Sequence, residues 1–534
     1  MPISTTPAKT SRLFALLLIA FACCSGLALP AAAQQITPVI DSGNPPNTLA
    51  QQAKHYVVLV SLDGFRWDYP AKYGAPHIQA MGADGASAPQ GMLPSYPSLT
   101  FPNHLSLVTG LYPEHHGIVA NSFFDPARDE TYVYTQSKTN GDGSWYGGTP
   151  LWSLAEQQGM RAACLFWPGS EAEIAGKRPS YYLKFDNKLD DKKRVQQVLA
   201  WLALPPALRP HFITLYYSNV DHEGHEHGPD SDEVRDAVHH VDEMIGELQD
   251  GLEALRLPVD LVVLADHGMV ALQGEPIDLS TFADLAGVHT EGSLIYAKDE
   301  VEAAKIYADF KAHPDPRFSV FRRADVPKEL HYDSNPREGD PVVVPNGPYT
   351  LRTKPVPPGA MGGTLRGNHG FDPVKMPDMK AIFFADGPDI KPGWTLPPFR
   401  NVNVYPFLAQ LLGLTLPADQ HLDGNIRVLG RTIIGFVPPP PVRGDGTIMP
   451  SILRRQEPEF SELARRKKIG GSVMLSFQVE KDGTPSHIVV ERGIGYGLDE
   501  KAVEAVSHYL FKPAMRNGEP IVVPMHIEVN FQLF

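Results

Sequence analysis

Residues Tyr56–Leu62 read YVVLVSL and run straight into Asp63-Gly64. Such an apolar run, without alternation, predicts a strand buried on both faces, as in a parallel sheet covered by helices. Three further runs repeat the pattern. Phe212–Tyr217 (FITLYY) ends shortly before Asp221, residues 261–265 (LVVLA) end at Asp266, and residues 381–385 form the fourth. Helical stretches lie between them, residues 233–255 among them. This order predicts an α/β fold from residue 55 to about 436, with a mostly parallel sheet sandwiched by helices. Ligands in such folds bind at the carboxyl ends of strands, where these acidic residues fall.

The rest of the chain is read around that unit. Its 534 residues allow three or four domains, and 43% hydrophobic with 20% charged residues is an ordinary globular composition. Lys9 and Arg12 precede an apolar run from Leu13 to about Leu29, followed by Ala31, Ala32 and Ala33. This predicts a signal peptide over residues 1–33, cut after Ala33, and export to the periplasm. An uncleaved N-terminal helix anchoring the chain in a membrane is the alternative. Cleavage removes Cys23 and Cys24 and leaves Cys164 alone, so no intramolecular disulfide is expected. It also takes the formal charge from −14 to −16. A surface built for nucleic acid is therefore not expected, and a metal enzyme rich in Asp and His fits better. No other run is long and apolar enough to span a membrane. Residues 34–54 read as an N-terminal linker.

Proline is nearly twice as frequent as usual, with 51 residues. Residues 437–442 (VPPPPV) open a stiff linker over residues 437–448. Residues 449–534 follow as a small α+β module. Gly471–Val479 alternates as a strand, Asp482-Gly483 turns the chain, and residues 488–491 return. Residues 499–510 predict a helix with Ala502, Val503, Val506 and Leu510 inward, and residues 521–531 a last strand. The order is β-β-α-β. Basic and acidic residues balance from residue 441 onward, so the negative charge belongs to the first domain.

The chemistry gathers in clusters. Asp63 ends a buried strand, where a carboxylate needs a cation or hydrogen bonds; it also reads as a turn aspartate before Gly64. Thr100 stands near a helix start with Pro102 in the first turn. Backbone N–H groups there favour an anion such as phosphate, and a metal-bound hydroxyl there could attack phosphorus; a plain N-cap is the bland reading. His104 is a ligand by type, and a packed, hydrogen-bonded histidine by position. In DHEGHEHGP (residues 221–229), Asp221 and His225 are spaced i, i+4 and can meet one ion, although three histidines share the segment. Asp266 and His267 are adjacent at a strand end, and His369 lies in GNHGF. Three carboxylates and three histidines with one hydroxyl divide into two mixed N/O sites with open positions, which suits catalytic Zn²⁺.

The motifs VSLDGFRWDY, PSYPSLTFPNHLSLVTGLYPEHHGI, DHEGHEHGP, LADHGM and GNHGF occur in this order. With them the first domain resembles the nucleotide pyrophosphatase/phosphodiesterases of the alkaline phosphatase superfamily. The resemblance implies two zinc ions, one held by Asp221, His225 and His369, the other by Asp63, Asp266, His267 and Thr100. It makes Thr100 the nucleophile of a covalent intermediate and Asn121 a holder of the phosphate oxygen. Phe101 and Tyr216 match the family's stacking aromatics, and Tyr181 or Tyr182 offers a third wall. The implied reaction is hydrolysis of nucleotide diesters or phosphoanhydrides, releasing a nucleoside monophosphate. With no phosphate-clamping arginine evident beside Thr100, apart from Arg66 and Arg128 nearby in sequence, a diester is expected over a monoester.

The tail resembles the C-terminal domain of TonB-family energy transducers through residues 460–464 (FSELA), Gly471–Val479 (GSVMLSFQV), residues 497–506 (GLDEKAVEAV) and residues 509–513 (YLFKP). Such domains add a strand from a partner at a sheet edge, which implies docking to a periplasmic or outer-membrane protein. Two other functions compete: a phospholipid diesterase of the same family with a choline-type head group, and a TonB-like coupling protein whose middle domain only binds.

Overall fold

The computed structural model describes residues 39–354, 365–417, 421–438, 446–516 and 518–532. The expected signal peptide and most of the proline run lie outside the described residues. Two compact units emerge. One runs to Pro388 and includes Pro392–Asp423; the other comprises Asp389–Lys391 and Gly424–Phe534.

The first unit is built on a sheet whose strands, in chain order, are β1 (Ile40–Asp41), β2 (Tyr56–Leu62), β3 (Ala86–Ser87), β4 (Ala162–Leu165), β5 (Tyr181–Leu183), β6 (Phe212–Tyr217), β7 (Val259–Leu264), β8 (Phe383–Asp386) and β9 (Trp394–Thr395). Their order across the sheet is β1-β5-β4-β6-β2-β7-β8-β3-β9. The central five, β5-β4-β6-β2-β7, are parallel. Antiparallel partners flank them: β1 beside β5 and β8 beside β7. Every residue of β2 is buried, as its unbroken apolar run requires. Val57, Val58, Leu59 and Val60 are fully enclosed, and each such side chain contributes about 1.5–3 kcal/mol by leaving water.

Helices cover both faces. They are α1 (Pro76–Asp84), α2 (Thr100–Thr109), α3 (Leu151–Gln157), α4 (Asp191–Leu202), α5 (Asn219–His227), α6 (Asp232–Leu255) and α7 (Val404–Leu411). α6 packs with α1, α4 and α5, whereas α7 packs with α2 and α3. α6 matches the expected helix within one residue because Ser231 caps it, accepting from the Val234 N–H. Among the described residues, no helix is long and apolar enough to cross a membrane.

Two features differ from the sequence reading. Residues 40–52, expected within a linker, join the fold: Ile40 and Asp41 pair with Tyr182 and Tyr181, and Asn47 Nδ2 donates to the carbonyls of Pro206 and Arg209. Short polar segments carry no periodic signal, so their pairing is not visible in one sequence. Between β7 and β8 the chain also builds a separate subdomain. Its core holds Ile277, Leu279, Ile295, Ile306, Phe310 and Phe318, under a helix at Glu300–Ala312 and the paired strands Phe318–Phe321 and Val342–Pro345.

That insertion is fastened to the segment before β4. Arg337 pairs with Asp125 at 2.8 Å and donates to the carbonyls of Gly117 and Trp145. Beside it Glu338 is fully buried; burial and then Glu114 push its carboxyl up to about 9. The folded protein keeps this proton while the unfolded chain loses it above about 4.5, so stability falls as pH rises through that window. Glu338→Gln should flatten the loss of Tm between about pH 5 and pH 8, measured by calorimetry against wild type. Equal slopes for the two proteins would reject a buried neutral acid.

The second unit contains the three-stranded antiparallel sheet of β10 (Gly471–Val479), β11 (Pro485–Arg492) and β12 (Val523–Phe531), with β10 in the centre. α8 (Leu498–Ser507) packs on it. The β-β-α-β order stands as read. The helix is shorter than expected: Leu510 opens a short strand, Leu510–Lys512, and the helix instead buries Leu498, Ala502, Ala505 and Val506.

Candidate active site

Three adjacent strands end level with one another. Ser61 of β2 lies opposite Tyr216 of β6 and Leu264 of β7. Asp63 therefore follows β2, Asp266 and His267 follow β7, and Asp221 stands in the first turn of α5 after β6, all at one edge. Gly64 lets β2 turn there. Its φ is +69°, and a Cβ would fall 2.8 Å from the Asp221 Cα. His369 arrives from far along the chain on Gly367–Asn368, which pairs antiparallel with Val270–Ala271 just beyond His267. The His267 and His369 rings stack at 3.6 Å as a result.

The imidazoles are oriented from behind. Nδ1 of His225 donates to the Gly367 carbonyl at 2.9 Å, that of His267 to Gly268 at 3.0 Å, and that of His369 to Ser98 at 2.9 Å. Each ring thereby turns its Nε2 lone pair toward the carboxylates, the arrangement typical of metal-binding histidines. His225 Nε2 and His369 Nε2 lie 3.2 Å apart and 3.4 and 3.5 Å from Asp221 Oδ1. Two lone pairs at that distance repel unless a cation lies between them.

The carboxylates show the same need. Asp63 Oδ1, Asp221 Oδ1 and Asp266 Oδ2 are buried without a hydrogen-bond partner. Burial, then Asp266 and Asp221, push the Asp63 carboxyl well up, and burial raises that of Asp221 against the opposing pull of His225 and His267. Asp266 differs: burial raises it, but His267 and His104 outweigh this and hold it well below the usual range. His369 is held neutral by burial and by His267 and His225. Asp221, His225 and His369 place ligand atoms within 4.8 Å of one another, as do Asp63, Asp221 and His267, and Asp63, His104 and Asp266. Buried oxygens without partners beside inward lone pairs fit divalent cations.

His104 is the packed histidine: its Nδ1 lies 2.8 Å from the Thr100 carbonyl and its Nε2 2.9 Å from Ser61 Oγ. Tyr216 also acts from behind the cluster, with its hydroxyl donating to Asp63 Oδ2 at 2.5 Å. Burial and then Asp63 hold that phenol far above its ordinary range, so it stays a donor. Tyr216→Phe should weaken metal retention about 10–100-fold, read as metal content after dialysis against a chelator. Unchanged retention would mean that this bond does not position Asp63.

Thr100 is the first residue of α2. Leu99 occupies the N-cap, so the Thr100 hydroxyl does not cap the helix; it lies 3.3 Å from His267 Nε2. Asn121 Oδ1 accepts the Phe101 N–H at 3.0 Å, which turns its amide NH₂ group to the other side. Thr100, Asn121, Asp63, Asp221, His225 and His369 open onto one cavity of about 580 Å³. Phe101, Tyr134, Trp167, Phe185 and Tyr216 supply its aromatic wall, with Glu171 and Lys184. Tyr182 is not among the lining residues: it pairs with Ile40 on one side and Cys164 on the other, and borders a separate surface depression with Ser42 and Asn44. Tyr181 lies beside it in β5. The loop after β5 carries the wall in their place, through Phe185, a loop residue that no spacing rule marks. Arg66 is bound to Asp68 and Asp378, and Arg128 to Ser144 over the Trp145 ring. No arginine lines the cavity among the described residues.

Comparison with known proteins agrees with this geometry. The family model for type I phosphodiesterase/nucleotide pyrophosphatase matches residues 57–372, and that for the Gram-negative bacterial TonB protein C-terminal matches residues 456–533. An uncharacterised pyrophosphatase/phosphodiesterase of Schizosaccharomyces pombe is 35% identical over 379 residues, covering 67% of this chain and 77% of that protein. Human ectonucleotide pyrophosphatase/phosphodiesterase family member 1 is 34% identical over 411 residues; the match covers 73% of this chain but 43% of the human protein. The solved structure of murine ectonucleotide pyrophosphatase/phosphodiesterase 5 superposes with a TM-score of 0.65 at 28% identity, covering 71% of this chain and 100% of that one. The same murine protein is also known as an inactive threonine-to-alanine variant in complex with AMP. Fold and likeness together define a hydrolase of phosphodiester bonds. The chain belongs to the type I phosphodiesterase/nucleotide pyrophosphatase family, with a TonB-type C-terminal domain.

Proposed function

We propose that this chain is an exported, periplasmic enzyme that hydrolyses nucleotide phosphodiester or phosphoanhydride bonds through a covalent threonine intermediate. The observation that carries this reading is the Thr100 hydroxyl, uncommitted to capping, at a helix N-terminus beside inward-facing imidazoles and buried unpaired carboxylates. Two zinc ions, one with Asp221, His225 and His369 and the other with Asp63, Asp266, His267 and Thr100, would neutralise this cluster and supply Lewis acidity.

The chain's own residues do the rest. Thr100 Oγ forms a bond to phosphorus as the bond to the leaving oxygen breaks. Water then attacks the same phosphorus, freeing a nucleoside monophosphate and restoring the hydroxyl. The start of α2 and the Asn121 amide offer N–H donors to the phosphoryl oxygen where negative charge builds up. Phe101, Tyr134 and Phe185 offer a base an aromatic wall. Lys184 stands on that wall and favours an anionic substrate over a quaternary ammonium, although Glu171 beside it keeps a choline-type diester as the second reading. That no arginine among the described residues lines the cavity favours a diester, with one negative charge, over a monoester with two.

The tail supports an envelope location. Its three-stranded sheet leaves β11 and β12 at the edges, suited to pairing with an extended segment of a periplasmic or outer-membrane protein. The test of the main reading is turnover of p-nitrophenyl esters of a nucleotide, of phosphate and of phosphorylcholine. The nucleotide ester should be preferred at least about tenfold in kcat/KM, roughly 1.4 kcal/mol of transition-state binding. Preference for the phosphate monoester would reject the diester reading, and preference for phosphorylcholine would select the second one.

A further inference from the structure

α2 carries Thr100 at its start; at its far end lies a second cluster of metal-ligating groups, about 15 Å away by the helix rise. His115 Nδ1 lies 2.8 Å from Asp423 Oδ2, and His421 Nε2 lies 2.7 Å from Asp423 Oδ1. The three residues place ligand atoms within 4.8 Å of one another. Asp423 is fixed in advance: its Oδ2 accepts the Tyr112 N–H at 2.8 Å, and its own N–H donates to the Gly110 carbonyl at 3.0 Å. Gly110 closes α2, so the cluster faces the negative end of that helix, where positive charge is favoured. The carboxylate side chain is 9% exposed, whereas those of His115 and His421 are 36% and 66% exposed. The site is open on one side, with room for water ligands.

The geometry points to a surface metal site formed by His115, His421 and Asp423, separate from the catalytic cluster, that takes a divalent transition ion of the zinc class. Two imidazoles and one carboxylate are the donor set such an ion prefers over Mg²⁺ or Ca²⁺. Each imidazole would offer the ion the lone pair of the nitrogen that faces Asp423 and carry its N–H proton on the other ring nitrogen. The ion would join residues 421–423 to residues 110–115, the turn and short helix that follow α2.

The test uses the full chain without an affinity tag, stripped of metal and titrated with Zn²⁺. Wild type should bind one equivalent more than either His421→Ala or His115→Ala, counted by equilibrium dialysis with elemental analysis. Both replacements are at exposed positions, and hydrolysis of the p-nitrophenyl nucleotide should stay within about twofold of wild type, since neither residue lines the catalytic cavity. Equal zinc stoichiometry at saturation in all three proteins would overturn the site. So would a variant that binds fewer equivalents only because it has lost turnover, since the missing ion would then be a catalytic one.

Discussion

Thr100→Ala should lower kcat for a nucleotide diester by at least about 10³-fold, or about 4 kcal/mol of barrier, with the fold unchanged. The size follows from the proposed role, in which the hydroxyl forms the bond to phosphorus. The selectivity follows from position. Thr100 is the first helical residue, its side chain caps nothing, and alanine is accepted there. Tm and metal content should therefore stay near wild type while turnover disappears. Thr100→Ser keeps a hydroxyl at the same place and should retain part of the rate. Turnover by Thr100→Ala within tenfold of wild type would reject the covalent route, whatever the metal content.

Stripping the protein of metal should abolish hydrolysis and lower Tm by about 5 °C or more, both restored by Zn²⁺. The physical source is the buried cluster. Asp63, Asp221 and Asp266 crowd together with three unpaired oxygens, and the acids of the first two are already pushed up by burial and mutual repulsion. An ion that binds the folded state alone contributes about 2.7 kcal/mol at a hundred times its Kd. Two such ions move Tm by several degrees in a domain of this size. Asp221→Asn, which removes a carboxylate that belongs to two of the three close ligand groups of the cluster, should lose most of the zinc response. An apo protein with the same Tm as the reloaded one would mean that the cluster does not bind ions in the folded state. His421→Ala and wild type should show the same loss of activity on stripping, because the surface triad takes no part in the chemistry.

Much of this site could be read from the chain alone. Asp63, Asp221, Asp266 and His267 follow strands whose apolar runs are unmistakable, and the parallel fold sends such residues to one edge. Thr100 opens a helix marked by its own periodicity. Tyr216, which the family resemblance marks as a stacking aromatic, lines the cavity and has a second contact that no spacing encodes: its hydroxyl donates to Asp63, because β6 and β2 are neighbours in register. Tyr182 pairs within β5 and is not among the residues that line the cavity, where the loop residue Phe185 stands.

The fold class, the strand ends that bear the acidic residues, the threonine at a helix start and the α+β tail were legible along the chain, since each depends on local periodicity and on residue type. Tertiary structure alone decided which nitrogen each histidine presents, because that depends on carbonyls of Gly367, Gly268 and Ser98 reached across the fold. It also decided that His104 is committed to hydrogen bonds, that the insertion between β7 and β8 has its own core, and that His115 meets His421 across more than 300 residues of chain. Such pairings are set by the packing of distant segments, and no spacing along one chain encodes them.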